Sequence, residues 1–349
     1  MEDERSGSHS TSSGPLDGRE AARAVLDKAA HENFPVAPFF LPRAWRADLM
    51  AVYGYARLVD DIGDGDLPPG GADAELLGLD RDRAGDPLAM LDAFESDLRR
   101  VFDHAHSNIA NGNIANGNIA NGNIANSDNA GGTGDTDTAD GASPEPRHPL
   151  LRALLPTVRR HRLSPEPFLG LIEANRQDQR VRRYATYEDL LGYCELSANP
   201  VGRLVLGVTG TTSPERVRRS DKICTALQIV EHLQDVAEDL RRDRVYLPAE
   251  DMKRFGVTEA DLAAPTAGAP VRALIAHEAA RAETLLNEGT PLVGSVHGRL
   301  RWLLAGFVAG GRAALRAVAA AGYDVLPGPP RPTKLSLLRE AGATLRREG

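Results

Sequence analysis

Four aspartates crowd into the seven positions 60–66 of the stretch ARLVDDIGDGD, at the end of an apolar run. Like charges this close repel, and carboxylates in a helix's last turn face the negative end of its dipole. On a helix through this stretch, Tyr53, Arg57, Asp60 and Asp64 step by four, three and four and share one face. Asp61 lies about 100° round from Asp60, where a supporting salt bridge is expected. Gly63, Gly65 and Pro68 end the helix and leave Asp66 solvated. A second stretch, LQIVEHLQDVAEDLRRDRVYLP, covers residues 227–248. Here Gln228, Glu231, Asp235 and Asp239 step by three, four and four, an acidic stripe among Leu227, Ile229, Val230, Leu233, Val236 and Leu240. That helix is expected to be buried on most sides, and a carboxylate in such surroundings needs a partner.

Either stripe alone is explained by pairing with arginines such as Arg241, Arg242 and Arg244. Two such helices facing each other form a cage of oxygen ligands. Hard divalent cations want oxygen, and Mg²⁺ in particular bridges a few carboxylates to a substrate phosphate. A diphosphate so held becomes a good leaving group. The apolar remainder of the bundle suits a hydrocarbon chain and a carbocation.

The elements that must position these residues read as helix after helix. Residues 43–63, 87–102, 149–161 and 166–177 carry helical spacing. Residues 187–209 form two helices broken at Pro200, and 215–241 form one long helix. Residues 270–287 and 291–321 follow. Alternating strand patterns are absent, and aromatics are only 5% of the chain while 42% is hydrophobic, a mixture that favours helix on helix. The expected fold is a single all-α domain, residues 18–330, followed by a basic helix over 331–349. Residues 1–17 read as a disordered tail. Residues 104–147, with their NIANG repeats and Asp/Thr/Gly-rich continuation, read as a flexible insertion between helices.

The net charge of −8 and the lack of a basic patch argue against nucleic-acid binding. Cys194 and Cys224 cannot make a disulfide framework and read as free thiols of a reducing cytoplasm. The polar N-terminus has no secretory h-region. The apolar run WLLAGFVAGG, residues 302–311, is flanked by Arg301 and Arg312 and is too short to span a bilayer. His31, His104, His106 and His161 show no ligand spacing, and His232 points about 100° away from Glu231; all read as structural or surface groups. The C-terminal RPTKLSLLREAGATLRRE is basic and amphipathic, so a peripheral contact with the inner face of an anionic membrane is an expectation.

YGYARLVDDIGD resembles the first aspartate-rich motif of the squalene/phytoene synthase family, and LQDVAEDLRRDRVYLP resembles the second, with its Arg-x-Tyr tail. HENFPVAPFFLP (31–42) and YCELSANPVGRLVL (193–206) are similar to the hydroxysqualene synthase branch of bacterial squalene and hopanoid biosynthesis. The resemblance covers about residues 30 to 320 apart from the insertion. It implies an isoprenoid-synthase-type bundle with a central apolar cavity. It implies Mg²⁺ held by Asp60, Asp64, Asp235 and Asp239, diphosphate clamped by Arg57 and Arg244, and Tyr53, Tyr193 and Tyr246 lining the site. Gln228 and Asn199 are candidates to place a quenching water, and Asp178 is a weaker candidate for metal or diphosphate control. Where the family often has Asn, this chain has Glu231, still an oxygen ligand. The implied substrate is presqualene diphosphate, with other squalene-pathway enzymes as partners. The alternatives are a head-to-head condensing enzyme, making presqualene diphosphate, squalene or phytoene, and an inactive member serving as an assembly partner.

Overall fold

The structure, a computed structural model, describes residues 23, 25–28, 37–68, 71–117 and 144–348. The expected N-terminal tail, His31, residues 31–36 and most of the insertion lie outside them. The helices are α1 (Arg43–Asp64), α2 (Ala72–Leu77), α3 (Pro87–Gly117), α4 (Pro149–His161), α5 (Glu166–Asp178), α6 (Tyr187–Ser197), α7 (Asn199–Val208) and α8 (Pro214–Gln234). They continue with α9 (Val236–Arg241), α10 (Ala249–Phe255), α11 (Glu259–Leu262), α12 (Ala269–Gly289), α13 (Pro291–Gly294), α14 (Gly298–Ala320) and α15 (Lys334–Arg347). Among the described residues there is no strand, only one isolated parallel bridge between Arg183 and Val245. The all-α expectation holds.

Local chemistry sets the helix ends. Ser213 caps α8 by accepting from the Arg216 amide, with Pro214 in the first turn. Thr186 and Asp189 form a reciprocal capping box at α6. At the other end of α1, Gly65 adopts φ 72°, and the Asp66 amide reaches back to the Asp61 carbonyl at 2.9 Å, the six-to-one bond of a Schellman ending.

Packing then fixes the helices against one another. Fully buried Tyr55 stacks on Phe94 with ring centroids 5.4 Å apart and meets Phe168 edge-on at 5.0 Å, both within the favourable range for aromatic pairs. Its hydroxyl donates to the Phe168 carbonyl at 2.8 Å, so one side chain joins α1, α3 and α5. Helix α8 runs through the middle of the bundle, in contact with α7, α12 and α14. Gly289 lets α12 approach closely: a Cβ there would lie 2.7 Å from the Arg219 carbonyl oxygen of α8.

Four expectations are corrected. The long helix over 215–241 breaks at Asp235, whose backbone (φ −105°, ψ 12°) leaves the helical region; backbone bonds nevertheless bridge the break, from the Asp235 amide to Glu231 and from the Asp239 amide to Asp235. The helix over 291–321 is interrupted between Gly294 and Gly298, where Gly298 takes φ 62°. Helix α3 runs to Gly117, past the residue 104 boundary, because extending a formed helix costs little per residue. At the far side, residues before the 147 boundary already pack on the fold: the backbone amides of Arg147 and His148 both donate to buried Asp97 at 2.8 Å. The run 302–311, expected to be too short to span a bilayer, lies within the longer helix α14 (Gly298–Ala320). Helix α14 is long and apolar enough to cross a membrane by length and composition, but 67% of its most apolar window is buried inside the protein. It is a core helix.

Candidate active site

The end of α1 sorts its acids by helical angle. Asp61 turns inward, is buried, and accepts from Lys28 Nζ at 2.7 Å and Arg57 Nε at 2.9 Å, the salt bridge the spacing predicts. Asp60 takes an amide instead: Asn175 Nδ2 of α5 donates to it at 3.2 Å. Gly63 makes this contact sterically accessible, since a Cβ at that position would sit 1.9 Å from Asn175 Oδ1. The Gly63 carbonyl also accepts from Gln179 at 2.7 Å. Asp60 presents surface to water but is ringed by protein; the ring dominates, and burial, with added repulsion from Asp64 and Glu231, raises its carboxyl to about 7.

The two acidic stretches come together at Asp64, which side chains of the second stretch reach. Arginines tie them directly. Arg244 Nη1 donates to Asp64 at 2.8 Å, and Arg242 Nη1 to the other oxygen of the same carboxylate at 3.2 Å. Asp239 is likewise raised to about 7, by burial and then by Asp235, and burial followed by Glu238 raises Asp235. Burial and mutual repulsion thus leave the three carboxyls Asp60, Asp235 and Asp239 short of positive charge.

Beside this cluster stands an aromatic wall. Residues 182–185 pair with 245–250: the Val245 amide donates to the Arg182 carbonyl, and the Ala249 amide to that of Tyr184, each at 2.9 Å. This pairing brings Tyr246 over α5 and α6. Buried Asp178 then accepts from the Tyr193 hydroxyl at 2.6 Å and the Tyr246 hydroxyl at 3.0 Å. Burial raises the Asp178 carboxyl in spite of these bonds and raises both phenols. Tyr184 stacks on Tyr246 from one side.

His232 stacks on Tyr246 as well, with centroids 3.7 Å apart and planes within 12°. Its Nε2 lies 3.2 Å from Gln228 Nε2, an amide that can only donate, so Nε2 accepts and the proton resides on Nδ1. Nδ1 is 3.9 Å from Asp239. Burial, with Arg244 nearby, lowers the imidazole to about 3, and it is neutral at physiological pH.

The site therefore gathers Asp60, Asp64, Glu231, Asp239, Arg244, Tyr193, Tyr246 and Gln228, together with Asp178. Asp235 sits at the break beside them. Arg57 lies on the same helix with its guanidinium turned to Asp61, and half-buried Tyr53 lies one turn before it. Asn199 is buried and its Oδ1 accepts from Thr225 at 3.0 Å, a bond between α7 and α8. Sequence spacing missed His232 and Asn175. Asn175 meets Asp60 across 115 residues, and although Gln228 lies one turn from His232, the ring stack that holds the imidazole comes from Tyr246 on another segment, so local periodicity gives little signal for either. His161 proves structural as expected, 2.8 Å from buried Asp48.

An all-oxygen donor set in which burial and mutual repulsion disfavour the charged forms of Asp60, Asp235 and Asp239 fits a hard divalent cation, whose charge would offset that repulsion. Asp60, Asp64, Asp235 and Asp239, with Glu231, are the residues that would hold it.

Comparison with known proteins agrees with this geometry. The squalene/phytoene synthase family matches residues 27–339, and the chain belongs to that family, whose members process prenyl diphosphates in isoprenoid biosynthesis. The chain is 31% identical to hydroxysqualene synthase of Zymomonas mobilis over 281 residues, covering 79% of this chain and 75% of the relative. It is 28% identical to 15-cis-phytoene synthase of Synechococcus elongatus, covering 70% and 65%. The crystal structure of squalene synthase HpnC from Alicyclobacillus acidocaldarius superposes with a TM-score of 0.65 at 38% identity, covering 88% of this chain and 94% of that one.

Proposed function

We propose that the protein is a hydroxysqualene synthase, converting presqualene diphosphate and water to hydroxysqualene and diphosphate. The bond from carbon to the diphosphate oxygen breaks, the cyclopropylcarbinyl cation rearranges to an allylic cation, and water adds with loss of a proton. The observation that carries the reading is the facing of the two acidic stretches, with Arg242 and Arg244 reaching across to Asp64. The 31% identity to a hydroxysqualene synthase over 75% of that protein's length supports this branch.

When bound, Mg²⁺ supplies the positive charge that stabilises departing diphosphate. The chain's own residues do the rest. Arg244 and Arg242 are placed to exchange the Asp64 carboxylate for diphosphate oxygens, which suit planar guanidinium donors. Tyr184, Tyr193 and Tyr246 form a contiguous aromatic wall beside the acidic cluster, an electron-rich surrounding that suits a carbocation. Asp178 fixes two of those rings by holding their hydroxyls. The Gln228–His232 pair is a polar group at this wall, and neutral His232 adds no positive charge that would repel the cation. No dinucleotide fingerprint appears in the sequence, and capture by water requires no reductant.

The test is product analysis of purified protein with Mg²⁺ and either presqualene diphosphate or farnesyl diphosphate. Hydroxysqualene from presqualene diphosphate is the expected result. Formation of presqualene diphosphate or squalene from farnesyl diphosphate alone would make the protein a condensing enzyme and overturn the reading.

A further inference from the structure

Helix α15 is inside out for a helix that merely closes a bundle. Its two buried residues are polar, Glu340 and Thr344. Each is held by the neighbouring core helix: Arg316 pairs with Glu340, and Arg312 Nη1 donates to Thr344 Oγ1 at 2.9 Å. Arg301 adds a bond to the Leu345 carbonyl at 2.9 Å. The order of these partners runs α15 antiparallel to α14. Leu345 packs against the core, but two leucines point the other way, Leu335 77% and Leu338 72% exposed.

Leu335 and Leu338 are neighbours at i,i+3. Exposed Lys334, Arg339 and Arg346 lie within the same arc of about 140°, and exposed Arg331 precedes the helix. Glu340 is the single acid between 331 and 347, and it is buried. A protein of net charge −8 therefore presents here an apolar ridge on which every exposed charge contributed by residues 331–347 is positive. Uniform positive charge flanking exposed leucines complements one kind of surface, an anionic lipid bilayer.

We infer that the outer face of α15 docks the protein on anionic membranes, with Leu335 and Leu338 entering the interface and the basic residues meeting lipid headgroups. The helix's start adjoins the acidic cluster: Gln234 Nε2 donates to the Pro330 carbonyl at 2.6 Å, and Arg331 bears on Asp235. Docking thus turns the end of the bundle that carries the second acidic stretch toward the bilayer, where a lipid-like substrate and product reside. The orientation acquires this meaning from the proposed reaction; the binding itself does not depend on it.

The test is co-sedimentation of the full chain, without substrate, with vesicles of phosphatidylcholine alone or with phosphatidylglycerol admixed. Binding to the anionic vesicles alone, about tenfold or more weakened in Leu335→Ser/Leu338→Ser and in Arg339→Glu/Arg346→Glu and reduced by salt, is the expected result. These exposed substitutions should leave the melting temperature unchanged. Absence of binding, equal binding to both vesicle types, or undiminished binding by either double variant would overturn the inference. Loss of turnover with intact vesicle binding would count against the reaction and leave docking standing.

Discussion

The two acidic stretches are built differently. On α1, a regular helix with a glycine ending, the acid off the working face is neutralised in place: Asp61 takes Lys28 and Arg57. In the second stretch the helix breaks at Asp235, and Arg242 and Arg244 reach across to Asp64, although Arg242 also approaches Glu238 at 3.5 Å. The first stretch thus receives cations from the second, while Asp235 and Asp239 keep carboxyls raised by burial and repulsion. Neither half is electrostatically complete, and the two make sense as a single site.

The largest effects should come from the residues with uncompensated charge. Asp60→Asn and Asp239→Asn should each lower turnover about a thousandfold or more, as losing a main electrostatic contact in a transition state does. Both should melt at or above the wild-type temperature without added metal, because each removes a carboxyl that its acidic neighbours repel. A lowered melting temperature with retained turnover would break the contrast with Asp61.

Asp61→Asn should behave in the opposite way. It strands two partly buried cations, and after discounting for the partial exposure of Lys28 and Arg57 it should cost about 1–3 kcal/mol in a denaturant titration. Gly63→Ala should cost a similar ~1–3 kcal/mol through overpacking. It should also depress activity, because the added methyl drives Asn175 off Asp60.

The contrast between these acids was legible in the sequence. Helical steps of three and four separate Asp60 and Asp64 from Asp61, and the expected salt bridge at Asp61 is present. The all-α class followed from spacing and composition. What local spacing could not reveal depends on distant partners. The wheel rotates His232 away from Glu231, yet Tyr246, delivered by the 182–185 pairing, is there to receive it. The break at Asp235 has no glycine or proline to announce it. Helix α3 runs into the Asn-Ile-Ala repeats because an established helix propagates through sequence that would not nucleate one.

The smallest predicted effect concerns His232 and appears as a pH dependence. Its folded value is lowered to about 3 against an unfolded value of about 6.5. Between the two the unfolded chain binds the extra proton, so stability falls as pH drops below about 6.5. About one pH unit lower the penalty reaches up to ~1.4 kcal/mol. His232→Phe keeps the ring stack and should remove that part of the acid sensitivity in melts across this range. An unchanged acid limb would mean that the imidazole is protonated in the fold.

The claim that two stretches form one site is tested most directly by calorimetric titration of Mg²⁺ with inorganic diphosphate into wild type, Asp60→Asn, Asp239→Asn and the double variant. The account predicts that each single variant loses nearly as much affinity as the double, because half a site binds little. Losses that add as for independent sites would contradict it.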